Sequence, residues 1–412
     1  MFKKSTLIFV MIFFLAFANA QEVDQVSVGA SYTLQTYYDI STGDVYEVEN
    51  DAWDIAFSNM GVQDAGVFIN ESASLTGTSI KLFLTDINEW NEEIIDTSPF
   101  VDSLAIYNPE QNWEEGALNT VKDPDSAFDY GWGAYSVSSH TVVGDKIWVI
   151  KKRDGSFLKL QIQELASSVY SFRYADLDGN NEVTYSISKA DYDSGQLIYF
   201  SFETQEEFTI PIDYDLIFQR YTTPLDAGDG TFLEYTVTGI LLAPNTQAVV
   251  ADGVDIYDVE EEDYVDAYSD LPTTIGHEWK AFDFTSGWII DEDRVQFVRT
   301  SDNEIYKVLF YDFEGSSTGI TTLEKTYLGV VSSSSDLQMS EITIYPNPSS
   351  NYIILQSDDF TPIDIITSNG QKISNEPLKD HQRISISTLN SGQYFLRGHE
   401  NGLIKVIPFV KF

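Results

Sequence analysis

The sequence contains no cysteine. That single absence removes disulfides, thiolate metal sites, cysteine nucleophiles and thiol-attached lipid from consideration. Basic residues are scarce: 23 Lys and Arg stand against 65 Asp and Glu, a net charge of -42. A chain this acidic repels nucleic acid and anionic lipid surfaces, both of which recruit basic patches. It suits solubility outside the cell. Phosphate-loop and zinc signatures are missing too. Gly228-Asp229-Gly230 runs into Thr231-Phe232 rather than a phosphate loop. His277-Glu278 opens a His-Glu-x-x-His pattern, but Ala281 stands at its fifth position. Long apolar runs are confined to the N-terminus. Lys3 and Lys4, the stretch from Leu7 to Phe17 and Ala18-Asn19-Ala20 read as a secretory signal over residues 1–20, cleaved before Gln21. That run is too short for a lasting transmembrane helix, and no later one is long enough.

What is present favours strands. Aromatics make up 14% of the chain, and Gly, Ser and Thr are plentiful, a composition suited to strands and tight turns. Val28 to Phe57 alternates in hairpin fashion around a Ser41-Thr42-Gly43-Asp44 turn and leads into the buried strand Trp53-Asp54-Ile55-Ala56-Phe57. The same pattern returns as Ile198-Tyr199-Phe200, a Thr204-Gln205 turn, and Ile212 to Phe218, so Asp54 answers to Asp215. An acid inside an apolar strand is expected to accept backbone hydrogen bonds. A second block also recurs. Trp132, Lys146 to Lys151 and Asp154 to Leu160 match Trp279, Arg294 to Arg299 and Asp302 to Val308. The chain therefore reads as a repeat. The copies differ most over residues 61–129 and 219–275, acidic insertions in which binding sites tend to lie. In the second, a short helix is expected from Asp258 to about Tyr268, stopped by Pro272.

After the polar run Ser332 to Asp336 the composition changes. Residues 341–412 hold 6 Lys and Arg and 7 Asp and Glu, which leaves 17 and 58 for residues 1–340. The net charge of the two parts is then -1 and -41, a shift that marks a domain boundary. Short strands and the hairpin signal Asn369-Gly370 predict a small β-sandwich there.

This tail, with Tyr345-Pro346-Asn347-Pro348-Ser349, Ser368-Asn369-Gly370-Gln371, Leu389 to Phe395 and Lys405-Val406-Ile407, closely resembles the type A C-terminal sorting domain of the Bacteroidetes type IX secretion system. The resemblance implies export across the outer membrane, removal of the tail, and either release or attachment to surface lipopolysaccharide. The body resembles the HmuY-like family, whose founding type is a haem carrier with a β-rich fold. The residues that carry the likeness are Tyr37 to Gly43, Trp53 to Phe57, Ile275 to Phe282 and Arg294 to Phe313.

The fold class expected is all-β: two tandem antiparallel HmuY-like units, 21–180 and 181–331, a linker over 332–340, and the sorting domain over 341–412. The function expected is a secreted or cell-surface binding protein without enzymatic activity, its ligand open between haem, or another tetrapyrrole, and others. A calcium-assisted adhesin or matrix protein is the alternative, and a hydrolase comes last. The resemblance makes His140 and His277 haem-ligand candidates. Since His277 answers to Tyr130 and lies in the other unit, a bis-His pair within one unit is excluded, whereas a His/Tyr or His/Met pair stays open. Asp176, Asp178, Asn180 and Glu182, at alternate positions, are calcium candidates. Asn181 at the sixth place and Ile187 at the twelfth depart from an EF-hand, and an ordinary turn is the other reading.

Overall fold

The computed structural model describes residues 21–61, 64–331, 343–356, 360–367, 372–373, 383–400 and 403–412. The signal segment, the linker, His381 and the Ser368-Asn369-Gly370-Gln371 turn lie outside them. The chain divides into two compact units, Met1–Val331 and Ser332–Phe412. Both are all-β and antiparallel, and among the described residues no helix reaches seven residues or crosses a membrane. The acidic segment from Asp258 follows this rule. Only the 3-10 turn Glu261–Tyr264 forms there. Val259, Tyr264 and Tyr268 spend their apolar surface against Val249, Val295 and Phe297 instead, a tertiary demand that outweighs a marginal acidic helix.

Both expected hairpins form. Leu34–Tyr38 pairs with Val45–Glu49, and Gln196–Phe200 pairs with Glu207–Phe208. Their partners in the sheets are exchanged between the halves. The first hairpin adds to Leu216–Asp226, and the second adds to Ile55–Asn59. The flanking strands follow suit: Gln21–Ser27 pairs with Ile320–Val330, and Val183–Ser188 with Val169–Ala175. Residue 180, the expected boundary, lies in the turn that joins the paired strands Val169–Ala175 and Val183–Ser188. One structural half runs continuously from about Trp53 to Phe208, and the other combines residues 21–49 with 214–330. One strand pairing recurs in both halves. Lys81–Leu84 pairs with Trp148–Lys151 as Gln247–Asp252 pairs with Arg294–Arg299.

Three apolar layers result. Ile55, Phe57, Trp132, Trp148, Phe172 and Phe200 fill the first half. Tyr38, Phe218, Trp279, Val298, Phe310 and Leu323 fill the second. Tyr37, Trp53, Tyr199, Ile217, Tyr221 and Leu241 lie between them, on the inner faces of the two exchanged sheets. Alternation explains the split, because neighbours Tyr37 and Tyr38 point to opposite faces of one strand. Backbone contact is closest at Gly144, where an added Cβ would lie 1.7 Å from the Ile162 carbonyl oxygen, beside the bulge between Ile162 and Glu164. Gly144→Ala is expected to cost about 3 kcal/mol through overpacking, read from urea unfolding.

The C-terminal unit forms the expected small sandwich. Its sheets comprise Thr343–Tyr345, Tyr352–Gln356 and Arg383–Ser385 on one side, and Phe360–Thr367, Gly392–Glu400 and Leu403–Lys411 on the other. Ile344, Ile353, Ile365, Leu396 and Phe409 meet between them. The Tyr-Pro-Asn-Pro segment is tied to the last strand, since Asn347 Oδ1 accepts the Val410 N–H at 2.9 Å.

Candidate functional site

The two insertions do meet, in a cavity between the exchanged sheets. Phe68 to Ser72 and Asn108 to Trp113 line it from the first, and Gln219, Tyr221, Thr222 and Pro272 from the second. Glu71 is the hinge of this arrangement. One carboxylate oxygen accepts the Asn108 N–H at 2.5 Å and the other the Thr222 N–H at 2.9 Å. Burial pushes its pKa up to about 7, against the pull of those two donors. Trp113 closes the joint by donating from Nε1 to the Leu242 carbonyl at 2.9 Å. The enclosed volume is only about 70 Å³. Since one water needs roughly 10–15 Å³ on this measure, the cavity has room for a few waters and none for a macrocycle.

The two candidate histidines occupy different places. His277 is half-buried, with Nδ1 3.5 Å from the Tyr221 hydroxyl. Burial, and then the charge of Lys280, hold its pKa below the usual range, so it is neutral at pH 7. His277 therefore stands behind one wall of the small cavity, with its ring turned to a tyrosine. His140 is exposed. It sits at φ +55° in the turn after Gly133–Ser136, where its N–H bonds to the Ser136 carbonyl at 2.9 Å. Its Nδ1 lies 2.9 Å from the Tyr135 hydroxyl, and no described residue bonds to its Nε2. An open cleft of about 450 Å³ surrounds it, lined by Phe128, Tyr130, Tyr135, Val142 and Leu165. Phe128 and Tyr135 stack with their planes 12° apart. His277 is absent from this cleft, so the two histidines share no pocket.

Asp176, Asp178, Asn180 and Glu182 form a turn whose polar groups serve one another. The Asp178 carboxylate accepts from the backbone and side chain of Asn180, and Asp176 accepts from Asn181. Glu182 accepts the Trp90 indole N–H at 3.0 Å and lies 3.7 Å from Arg173. Among the described residues, no group of three or more acidic, His or Cys side chains is placed to hold a metal ion. Alternation within the segment brings these acids close in sequence, but each is turned to a different partner. The acids placed just before the apolar strands Ile55–Asn59 and Leu216–Asp226 accept backbone hydrogen bonds: Asp54 accepts the Phe202 N–H at 2.8 Å, and Asp215 the Ile40 N–H at 3.0 Å.

The comparisons with known proteins agree with this layout in part. Residues 31–174 match the family described as HmuY protein. Residues 343–408 match the secretion system C-terminal sorting domain. Part of the body is similar to HmuY proteins, and the tail to secretion sorting domains. The chain is thus secreted across the outer membrane, to the cell surface or beyond, and its tail engages the type IX machinery. The crystal structure of apo PinO from Porphyromonas gingivitis is similar at 10% identity, over 76% of this chain and 100% of that one. Its TM-score of 0.24 is too low to inform the fold. No curated protein matches the chain.

Four features of these sites escaped the sequence. Glu71 sits in an Asn-Glu-Ser segment with no distinguishing pattern. The pairing of Phe128 with Tyr135 needs a fold to bring it about. The cleft around His140 lies mostly C-terminal to the insertion in which binding residues were expected. The approach of His277 to Tyr221 depends on strands joined only in three dimensions.

Proposed function

We propose that this HmuY-like chain is a surface or released binding protein without catalytic activity, and that its ligand is a flat aromatic molecule, a tetrapyrrole such as haem, held at His140. The observation that supports this reading is the cleft of about 450 Å³ walled by Phe128, Tyr130 and Tyr135, with a free imidazole nitrogen at its edge. That volume lies in the range of small-molecule sites, about 300–1,000 Å³, and an imidazole nitrogen is a ready ligand for haem iron. Stacked rings suit a planar partner. Tyr130 also lines the cleft and offers a second oxygen, although burial raises its pKa and disfavours the phenolate. After export, the mature body is either released or attached to surface lipopolysaccharide.

Titration of the mature protein with haemin is expected to give a saturable one-to-one shift of the Soret band, lost in His140→Ala and kept in His277→Ala. No shift, or a shift that survives His140→Ala, would remove the tetrapyrrole from this cleft.

A further inference from the structure

The two halves allow a comparison of the acids that stand just before strands Ile55–Asn59 and Leu216–Asp226. In the first half, Asp54 Oδ1 receives the Arg153 guanidinium at 3.0 Å, and the other end of that fork donates to the Asn50 carbonyl at 2.7 Å. Arg153 stands on the turn before Phe157–Ala166. In the second half the matching turn, before Glu304–Phe313, reads Thr300-Ser301-Asp302-Asn303. With Asp154 answered by Asp302, Ser301 stands where Arg153 does.

Asp215 consequently lacks the cation that Asp54 has. It is only 7% exposed, its Oδ2 is taken by the Ile40 N–H, and no described residue donates to its Oδ1. It lines an open cleft of about 600 Å³ whose rim carries Asp39, Asp193, Asp213, Asp302 and Glu304 and no Lys, Arg or His. The equivalent cleft of the first half carries Lys152 and Arg153. Burial pushes the Asp215 carboxyl up to about 7, as expected of a carboxylate whose partner has been removed. The rim acids are spread out and, among the described residues, do not converge on one metal position.

We propose that this cleft binds an arginine side chain presented on a peptide segment from outside, its guanidinium taking the place that Arg153 holds in the first half. A planar fork can bond the Asp215 carboxylate while its remaining donors reach carbonyl oxygens, as Arg153 does. The acidic rim draws a cationic segment toward the cleft and favours its arrival at low salt. This site is separate from the His140 cleft, and its test is independent of haem.

The test is calorimetric titration of the mature protein at pH 7.5 with acetyl-Gly-Arg-Gly-amide and with its citrulline and lysine counterparts. One-to-one binding of the arginine peptide is expected, at least tenfold tighter than either counterpart. Asp215→Asn, checked for a cooperative melt, should weaken it at least tenfold. Ser301→Arg supplies the guanidinium internally, so it should abolish binding and raise the melting temperature. Because that variant adds a partner rather than removing one, it decides the matter if Asp215→Asn fails to fold. Absence of saturable binding, equal binding of the citrulline or lysine peptide, or binding retained in Ser301→Arg would each overturn the assignment.

Discussion

Lys189→Met is expected to lower the unfolding free energy of the body by about 3–5 kcal/mol, the usual loss when one partner of a buried ion pair is removed. The Lys189 and Asp64 side chains are 5% and 3% exposed and form a direct ion pair. The ammonium also donates to the carbonyls of Gly61 and Asp64, each at 3.0 Å, and lies 5.5 Å from the centre of the Tyr170 ring. All its donors are thus used, which offsets the cost of burying the charge. Burial still pulls its pKa below the ordinary lysine value, with Asp64 opposing. Methionine keeps the stem and removes the charge, so the Asp64 carboxylate is left buried with only the Met60 N–H, at 2.8 Å, to satisfy it. The double variant Lys189→Met, Asp64→Asn should recover most of the loss, because no uncompensated charge remains. Guanidinium chloride unfolding of the body provides the measurement. A single-variant loss below about 1 kcal/mol would show that the pair contributes little. The joint matters to the architecture, since Lys189 directly follows the strand Val183–Ser188 and Asp64 lies in the first insertion.

Stability is expected to fall as pH rises from about 4.5 to about 7, with Glu71 responsible for much of the slope. The folded carboxyl of Glu71 has its pKa raised from 4.5 to about 7 by burial. Between those values the native state holds a proton that the unfolded chain has lost, so its stabilisation is complete below 4.5 and is lost as pH passes 7. A displacement of that size corresponds to on the order of 3 kcal/mol. Asp215, raised from 3.8 to about 7, acts with the same sign. Lys280 acts oppositely and at higher pH. Burial against Trp279, Trp288 and Phe313 brings its ammonium down from 10.5 to about 7. Its native form therefore binds fewer protons between pH 7 and 10.5, and its contribution grows over that window. Glu71→Gln keeps the shape but cannot titrate, and its amide N–H₂ opposes one of the two backbone donors. It should be less stable at pH 5 and show a visibly flatter slope from pH 5 to 7, read from urea midpoints. An unchanged slope would mean that Glu71 titrates near its ordinary value.

Much of the scaffold was legible because β-structure leaves local marks. The Ser41 to Asp44 turn, the alternation on either side of it and the Asp-Gly step at residue 154 all reappear as hairpins, the last with Gly155 at φ +84°. The acids at 54 and 215 could be read as backbone acceptors because an apolar strand offers them few other roles. The candidate sites were less legible. His140 could be singled out by its rarity, but its aromatic neighbours could not. The acids from Asp176 to Glu182 looked ligand-like in spacing, yet a turn at Gly179, φ +86°, folds them back onto their own amides.

By itself the sequence determined the all-β class and the route out of the cell, because composition, period-two alternation and the tail motif are properties of short stretches. It also held the difference between Arg153 and Ser301, though not its meaning. Only the tertiary structure decided which strands pair. An alternating strand buries the same apolar face whichever half it joins, so nothing in the pattern distinguishes a hairpin kept within its half from one exchanged between halves. That exchange places Glu71 against Thr222 and Ile40 above Asp215. It thereby creates the small inter-sheet cavity and leaves one buried carboxylate without the cation its twin possesses.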